Sequence, residues 1–122
     1  MTIEHKHMIL RAEVRRPPTE FFLKHWIKDL VTKLDMKILA GPISGNITDM
    51  PGNNGPTCAV IIETSHIACH VWIDPDPALV QLDVYTCGKL DRGVVLEHVA
   101  QLDPVTIDIK VFDREYNLED IT

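Results

Sequence analysis

The feature that most constrains this 122-residue chain is its supply of short segments in which apolar residues recur with a period of two. In residues 8–14, Leu10, Ala12 and Val14 alternate with Ile9, Arg11 and Glu13, so an extended chain here has one apolar and one mixed face. In residues 80–87, Val80, Leu82, Val84 and Thr86 take one side while Gln81, Asp83, Tyr85 and Cys87 take the other. Near the end, Val105, Ile107, Ile109 and Val111 alternate in the same way with Thr106, Asp108, Lys110 and Phe112. Amphipathic strands of this kind suit an antiparallel sheet with one face packed and the other open.

Only two segments carry a helical period. Pro17-Pro18 ends the first strand, and Thr19 is placed to cap a helix from 20 to about 34, with Leu23, Trp26, Ile27, Leu30 and Leu34 in one stripe. Asp91 is placed to cap a shorter helix through about 102, with Val94, Val95, His98 and Val99 turned inward. Both helices end on Leu-Asp, at Leu34-Asp35 and Leu102-Asp103, and an apolar strand follows each, the first at 36–39. The expected fold is therefore α+β, one domain over residues 1–122: an antiparallel sheet with two helices on one face, built around a duplicated strand–helix–strand unit. The uncovered face predicts a homodimer paired through its sheets. Residues 41–55, rich in Gly, Pro, Asn and Asp, read as one long loop. Two further strands, 58–62 and 67–72, flank Glu63-Thr64-Ser65, and residues 74–77 form a turn.

The bulk properties exclude some roles. A net charge of -6 without clustered Lys and Arg argues against nucleic acid or an anionic membrane as partner. Three cysteines make no regular framework, the first residues lack the apolar run of a signal peptide, and no stretch approaches the roughly 18 apolar residues of a membrane span. A cytoplasmic protein with reduced thiols is expected, with Cys58 and Cys69 packing as small apolar groups.

The chemistry concentrates in residues 57–88. If 66–72 is extended, His66, Ala68, His70 and Trp72 share one face and Ile67, Cys69 and Val71 the other. Two imidazoles and an indole are costly to bury without hydrogen-bond partners, so that face points to a pocket. Strict alternation puts Ser65 opposite His70, and Ser65, His70 and Cys87 share one small cavity only if the chain bends at Thr64-Ser65. No metal is expected: His66 and His70 lie roughly 13 Å apart along a strand, too far for one zinc ion. His5 and His7, close to the start, are expected to be solvated.

The run Ser65-His66-Ile67-Ala68-Cys69-His70-Val71-Trp72, followed by Leu82-Asp83-Val84-Tyr85-Thr86-Cys87-Gly88, resembles the prokaryotic S-adenosylmethionine decarboxylases. Their pattern is Glu-Ser-His-x-x-x-His-x-Trp-Pro-Glu, then a strand ending Asp-x-[Phe/Tyr]-Thr-Cys-Gly, and the likeness runs more loosely over nearly the whole chain. The resemblance implies self-cleavage between Thr64 and Ser65, with the Ser65 hydroxyl attacking the Thr64 carbonyl and residue 65 becoming a covalent pyruvoyl group. That cofactor forms a Schiff base with the amine of S-adenosylmethionine and takes up the electrons freed by loss of carbon dioxide, on the route to spermidine and other polyamines. It further implies that His70 removes the serine α-proton, that Thr57 supports the processing intermediate, and that Cys87 protonates the product. Trp72 and Asp74 fall where the family contacts the nucleoside, and Glu63 adds negative charge suited to a sulfonium. The sequence departs from the pattern at Thr64 (family Glu), Ile73 (Pro), Asp74 (Glu) and Pro51 (an adenine-stacking aromatic), and its 74–77 turn is about two residues longer. Two alternatives stay open: a non-processing homologue that binds a ligand or regulates a partner subunit, and a pyruvoyl decarboxylase of another amino acid.

Overall fold

A computed structural model describes residues 3–122. The strand β1 (Lys6–Val14) owes its position inside the sheet to Met8, Leu10, Ala12 and Val14, which are all buried on one side. It lies between β5 (Ala78–Thr86) and β6 (Pro104–Asp113), pairing with both in antiparallel register, Leu10 facing Leu82 on one side and Ile109 on the other. The sheet continues outward through β4 (Ser65–Trp72), β3 (Gly55–Ile62) and β2 (Ile38–Ile47), with β7 (Glu119–Asp120) on the far edge. The order is β2-β3-β4-β5-β1-β6-β7, every neighbour antiparallel. The expected antiparallel α+β sheet is the fold observed.

Helix α1 (Glu20–Lys33) begins where the Thr19 hydroxyl accepts the Phe22 N–H at 3.2 Å. Its stripe Leu23, Trp26, Ile27, Leu30 and Val31 is buried in the same core as Cys58, Val60 and Ile62 of β3. Helix α2 (Arg92–Val99), capped by Asp91 through the Val94 N–H at 3.2 Å, runs on as a single 3-10 turn, Ala100–Leu102. The two helices grip each other reciprocally. Trp26 Nε1 donates to the His98 carbonyl at 3.3 Å, His98 Nε2 donates to the Trp26 carbonyl at 2.6 Å, and the rings lie 4.4 Å apart. Lys33 Nζ donates to His98 Nδ1 at 3.3 Å. Among the described residues no helix is long and apolar enough to cross a membrane.

Both Leu-Asp endings adopt one conformation: Asp35 (φ 58) and Asp103 (φ 52) are left-handed, a region Asp tolerates better than most residues, and each feeds a strand. Each helix thus returns the chain to a strand parallel to the one it left. The first crossing passes three strands and the second only β1, so the two halves share local endings but not span.

The loop expected over 41–55 is a correction. Residues 38–47 form edge strand β2, and only 48–54 remain as a connection. Register shifts between Ile38 and Ala40 and between Ala40 and Ile43 absorb Gly41-Pro42 as bulges, which an edge strand accommodates because only one side must pair. In β6 the alternation is as expected, yet Val105 and Ile107 are exposed and Val111 is the buried member.

Candidate functional site

The site starts at the reversal between β3 and β4. Ile62 pairs with Ser65 across Glu63 and Thr64, so the chain turns in two residues. Neither carries a positive φ; the cost falls on Ser65, at φ 138. Among the described residues it is the third non-glycine residue with positive φ, and unlike Asp35 and Asp103 it is not at a helix end. Such a conformation costs a non-glycine residue about 1–3 kcal/mol and persists only where its surroundings enforce it.

Those surroundings are the end of β5. The Thr64 carbonyl accepts the Cys87 N–H at 2.7 Å, which makes Ser65 and Thr86 a directly opposed, non-hydrogen-bonded pair, the closer of the two antiparallel spacings. The Thr86 hydroxyl is fully buried; it donates to Thr64 Oγ1 at 3.0 Å and accepts the Gly88 N–H at 2.9 Å. A backbone donor is therefore already aimed at the carbonyl oxygen that would carry negative charge if the adjoining hydroxyl attacked.

His70 is elsewhere. It pairs with Thr57, whose Oγ1 lies 2.5 Å from His70 Nδ1, on the open face of the sheet. Five strand steps take the chain from Ser65 to His70, roughly 16 Å. The expectation of one cavity holding Ser65, His70 and Cys87 is corrected for the single chain: the Cys87 backbone meets the Thr64-Ser65 junction, while His70 and Thr57 form a second pair. The reversal is complete before Ser65, so β4 keeps its alternation, with Ile67, Cys69 and Val71 buried and His66 and His70 exposed on the opposite face.

That open face holds a concavity of about 620 Å3, lined by Arg11, His66, His70, Gln81, Asp83 and Lys110 among others. His7, expected to be solvated, is instead bound to Asp83, Nε2 to Oδ1 at 2.7 Å, with His66 Nε2 3.7 Å from the same oxygen. Arg114 lies 4.0 Å over the Tyr85 ring and donates to His7 Nδ1 at 3.3 Å, and His5 Nδ1 is 3.4 Å from the Tyr85 hydroxyl. The register of β1 on β5, His7 opposite Tyr85, makes this cluster; no motif signalled it.

Trp72 and Asp74 fasten the connection at 48–54. Asp74 Oδ2 accepts the Gly52 N–H at 2.6 Å and the Asn54 N–H at 3.4 Å, Oδ1 accepts Asn54 Nδ2 at 3.4 Å, and Trp72 Nε1 donates to Asn53 Oδ1 at 2.9 Å. Gly55, at φ 143, follows; a Cβ there would lie 2.0 Å from the Val71 carbonyl oxygen. Glu63 is exposed and lines a groove of about 510 Å3 on the other side of the reversal, with Lys33, Lys37, Thr64 and Lys89. Cys58 and Cys69 face each other in the core, and burial pushes both thiols up, as small apolar groups.

A sequence model of the family described as S-adenosylmethionine decarboxylase matches residues 18–115. The chain belongs to the S-adenosylmethionine decarboxylase family. An S-adenosylmethionine decarboxylase proenzyme of Persephonella marina is 36% identical over 63 residues, 50% of this chain and 46% of the relative. One from Aquifex aeolicus is likewise 36% identical over 63 residues, covering 45% of that protein. The chain thus spans about half the length of the curated relatives it matches. The crystal structure of the adenosylmethionine decarboxylase from Aquifex aeolicus aligns over 100% of this chain and 99% of that one, with a TM-score of 0.72 at 22% identity. This S-adenosylmethionine decarboxylase family member shares that fold.

Proposed function

We propose that this chain is a self-processing, pyruvoyl-dependent decarboxylase of S-adenosylmethionine, cut between Thr64 and Ser65. The observation that carries the reading is the strained Ser65 next to a carbonyl already held by the Cys87 N–H. Ser65 Oγ adds to the Thr64 carbonyl carbon and its proton passes to a base. The carbonyl oxygen takes the charge where Cys87 N–H donates. Breaking the C–N bond, with a proton returned to the Ser65 nitrogen, leaves an ester between Thr64 and Ser65 Oγ and relieves the turn. Removal of the Ser65 Cα proton and scission of the Cβ–Oγ bond release the Thr64 carboxylate. Hydrolysis of residue 65 then yields the pyruvoyl terminus and ammonia.

The residues around the junction fit that group: Cys87 borders it through its backbone, and its Sγ is assigned the proton that completes the product. The pyruvoyl group supplies the electron sink for loss of carbon dioxide. His70 is assigned the Cα proton, with Thr57 Oγ1 fixing its imidazole. Because one chain keeps His70 far from its own Ser65, the reading includes a homodimer in which each His70 serves the other copy. Product use in spermidine synthesis and a cytoplasmic setting belong to the same proposal, and it requires no metal.

A second substrate reading has one observation in its favour. Asp74, assigned to the nucleoside, already spends its carboxylate on Gly52 and Asn54, which suits a pyruvoyl decarboxylase of a smaller amino acid. Mass measurement under denaturing conditions tests processing: fragments 1–64 and 65–122 are expected, the second lighter than a serine-terminated peptide by ammonia. An intact chain after prolonged incubation ends the enzyme reading. Release of labelled carbon dioxide from S-adenosylmethionine, against ornithine and arginine, decides the substrate.

A further inference from the structure

Thr86 enters none of the steps above, yet its hydroxyl bonds the residue after the donor Cys87 and the side chain of the acceptor Thr64, on either side of the bond that polarises the scissile carbonyl. It accepts the Gly88 N–H at 2.9 Å, closing a short hydroxyl turn around Cys87, and so fixes the direction in which the Cys87 N–H points. It donates to Thr64 Oγ1 at 3.0 Å, holding the β-branched residue whose carbonyl receives that N–H at 2.7 Å. The Thr86 side chain is fully buried. It also stands directly across from Ser65. One hydroxyl therefore clamps donor and acceptor together beside the strained residue.

We propose that Thr86 is a positioning residue for self-cleavage, and that Thr64, which departs from the family pattern, is its working partner through the side-chain hydroxyl. This rests on the self-processing reading above. The step it governs is the first one, in which Ser65 Oγ bonds to the Thr64 carbonyl carbon, the Oγ proton leaves, and charge gathers on the oxygen facing Cys87. Thr86 keeps that N–H aligned as the carbon becomes tetrahedral. It has no part in the later loss of the Cα proton.

Three variants in the full chain separate the possibilities, each followed by denaturing mass spectrometry with and without hydroxylamine, which cuts an ester directly. Thr86→Val keeps the shape and removes the hydroxyl; cleavage is expected to slow by about tenfold, less than the roughly hundredfold loss of deleting an oxyanion donor outright. Hydroxylamine should leave that rate low, because the ester itself forms slowly. Thr86→Ser should recover cleavage to within about twofold of the original. Thr64→Val, which removes the acceptor and leaves the Gly88 bond intact, should be slow in the same hydroxylamine-insensitive way; it carries the test if Thr86→Val fails to melt cooperatively. Wild-type rates in Thr64→Val or in folded Thr86→Val, no recovery in Thr86→Ser, or rescue of Thr86→Val by hydroxylamine each overturn the proposal while the self-processing reading stands. A parent chain that never cuts overturns both.

Discussion

Ser65 is held at positive φ by the turn before it and by its pairing with Thr86 opposite, because a serine left to itself prefers negative φ. This gives a stability test independent of catalysis. Ser65→Ala and Ser65→Gly both lack the attacking hydroxyl and should remain uncut, but only glycine accepts φ 138 without a Cβ penalty. The gain, about 1–3 kcal/mol, is partly offset by glycine's greater chain entropy when unfolded, so Ser65→Gly should be the more stable by about 1 kcal/mol. Urea midpoints of the two uncut chains measure it; a lower midpoint for Ser65→Gly would mean the turn imposes no strain. At this scale the sequence was legible where alternation governs: it foretold that Ser65 and His70 fall on opposite faces unless the chain bends. It was silent on the strain itself, since a dihedral forced by a two-residue reversal leaves no mark on residue type. His7 was misread because its partners, Asp83 and Arg114, come from β5 and from beyond β6.

Between elements, one contact that depends on protonation is the clamp joining α1 to α2. Burial lowers the pKa of His98 from its ordinary value near 6.5, and the Lys33 ammonium lowers it further, while the Trp26 carbonyl and Asp29 oppose them. Lys33 also requires Nδ1 as an acceptor, and Gln101 Nε2 approaches the same nitrogen at 3.5 Å. With the folded pKa below the unfolded one, the unfolded chain binds more protons in between, so this contribution is complete above about pH 6.5 and is lost as the pH falls toward the folded value. The stability difference between the parent and His98→Gln should shrink from pH 7.5 to pH 5.5. Thermal melts of both proteins across that range test it, and a difference that grows on acidification would place the proton elsewhere. The helices themselves were legible from Thr19, Asp91 and their apolar stripes. Edge strand β2 was not, because a Gly-Pro pair in a bulged edge has the composition of a loop, and β7, two residues long, is too short to show a period.

For the whole molecule, the separation of Ser65 from His70 makes the proposed homodimer testable by complementation. Co-expressed Ser65→Ala and His70→Ala chains, each uncut alone, should yield cleaved His70→Ala chains, because the serine of one copy meets the imidazole of the other. Absence of cleavage in the mixture would show that the sites are not shared. The general architecture was readable from the amphipathic strands and two helices, whereas the order of strands was not, because alternation fixes which face a residue occupies and not which strand lies beside it. That order has a lasting effect on a chain broken after Thr64. The front piece would own β1, β2 and β3, the rear piece β4 to β7, and β1 would still run between β5 and β6 of the other piece. The halves would be interlaced like fingers, so scission would free a new terminus for chemistry while the particle stays whole until β1 is torn out.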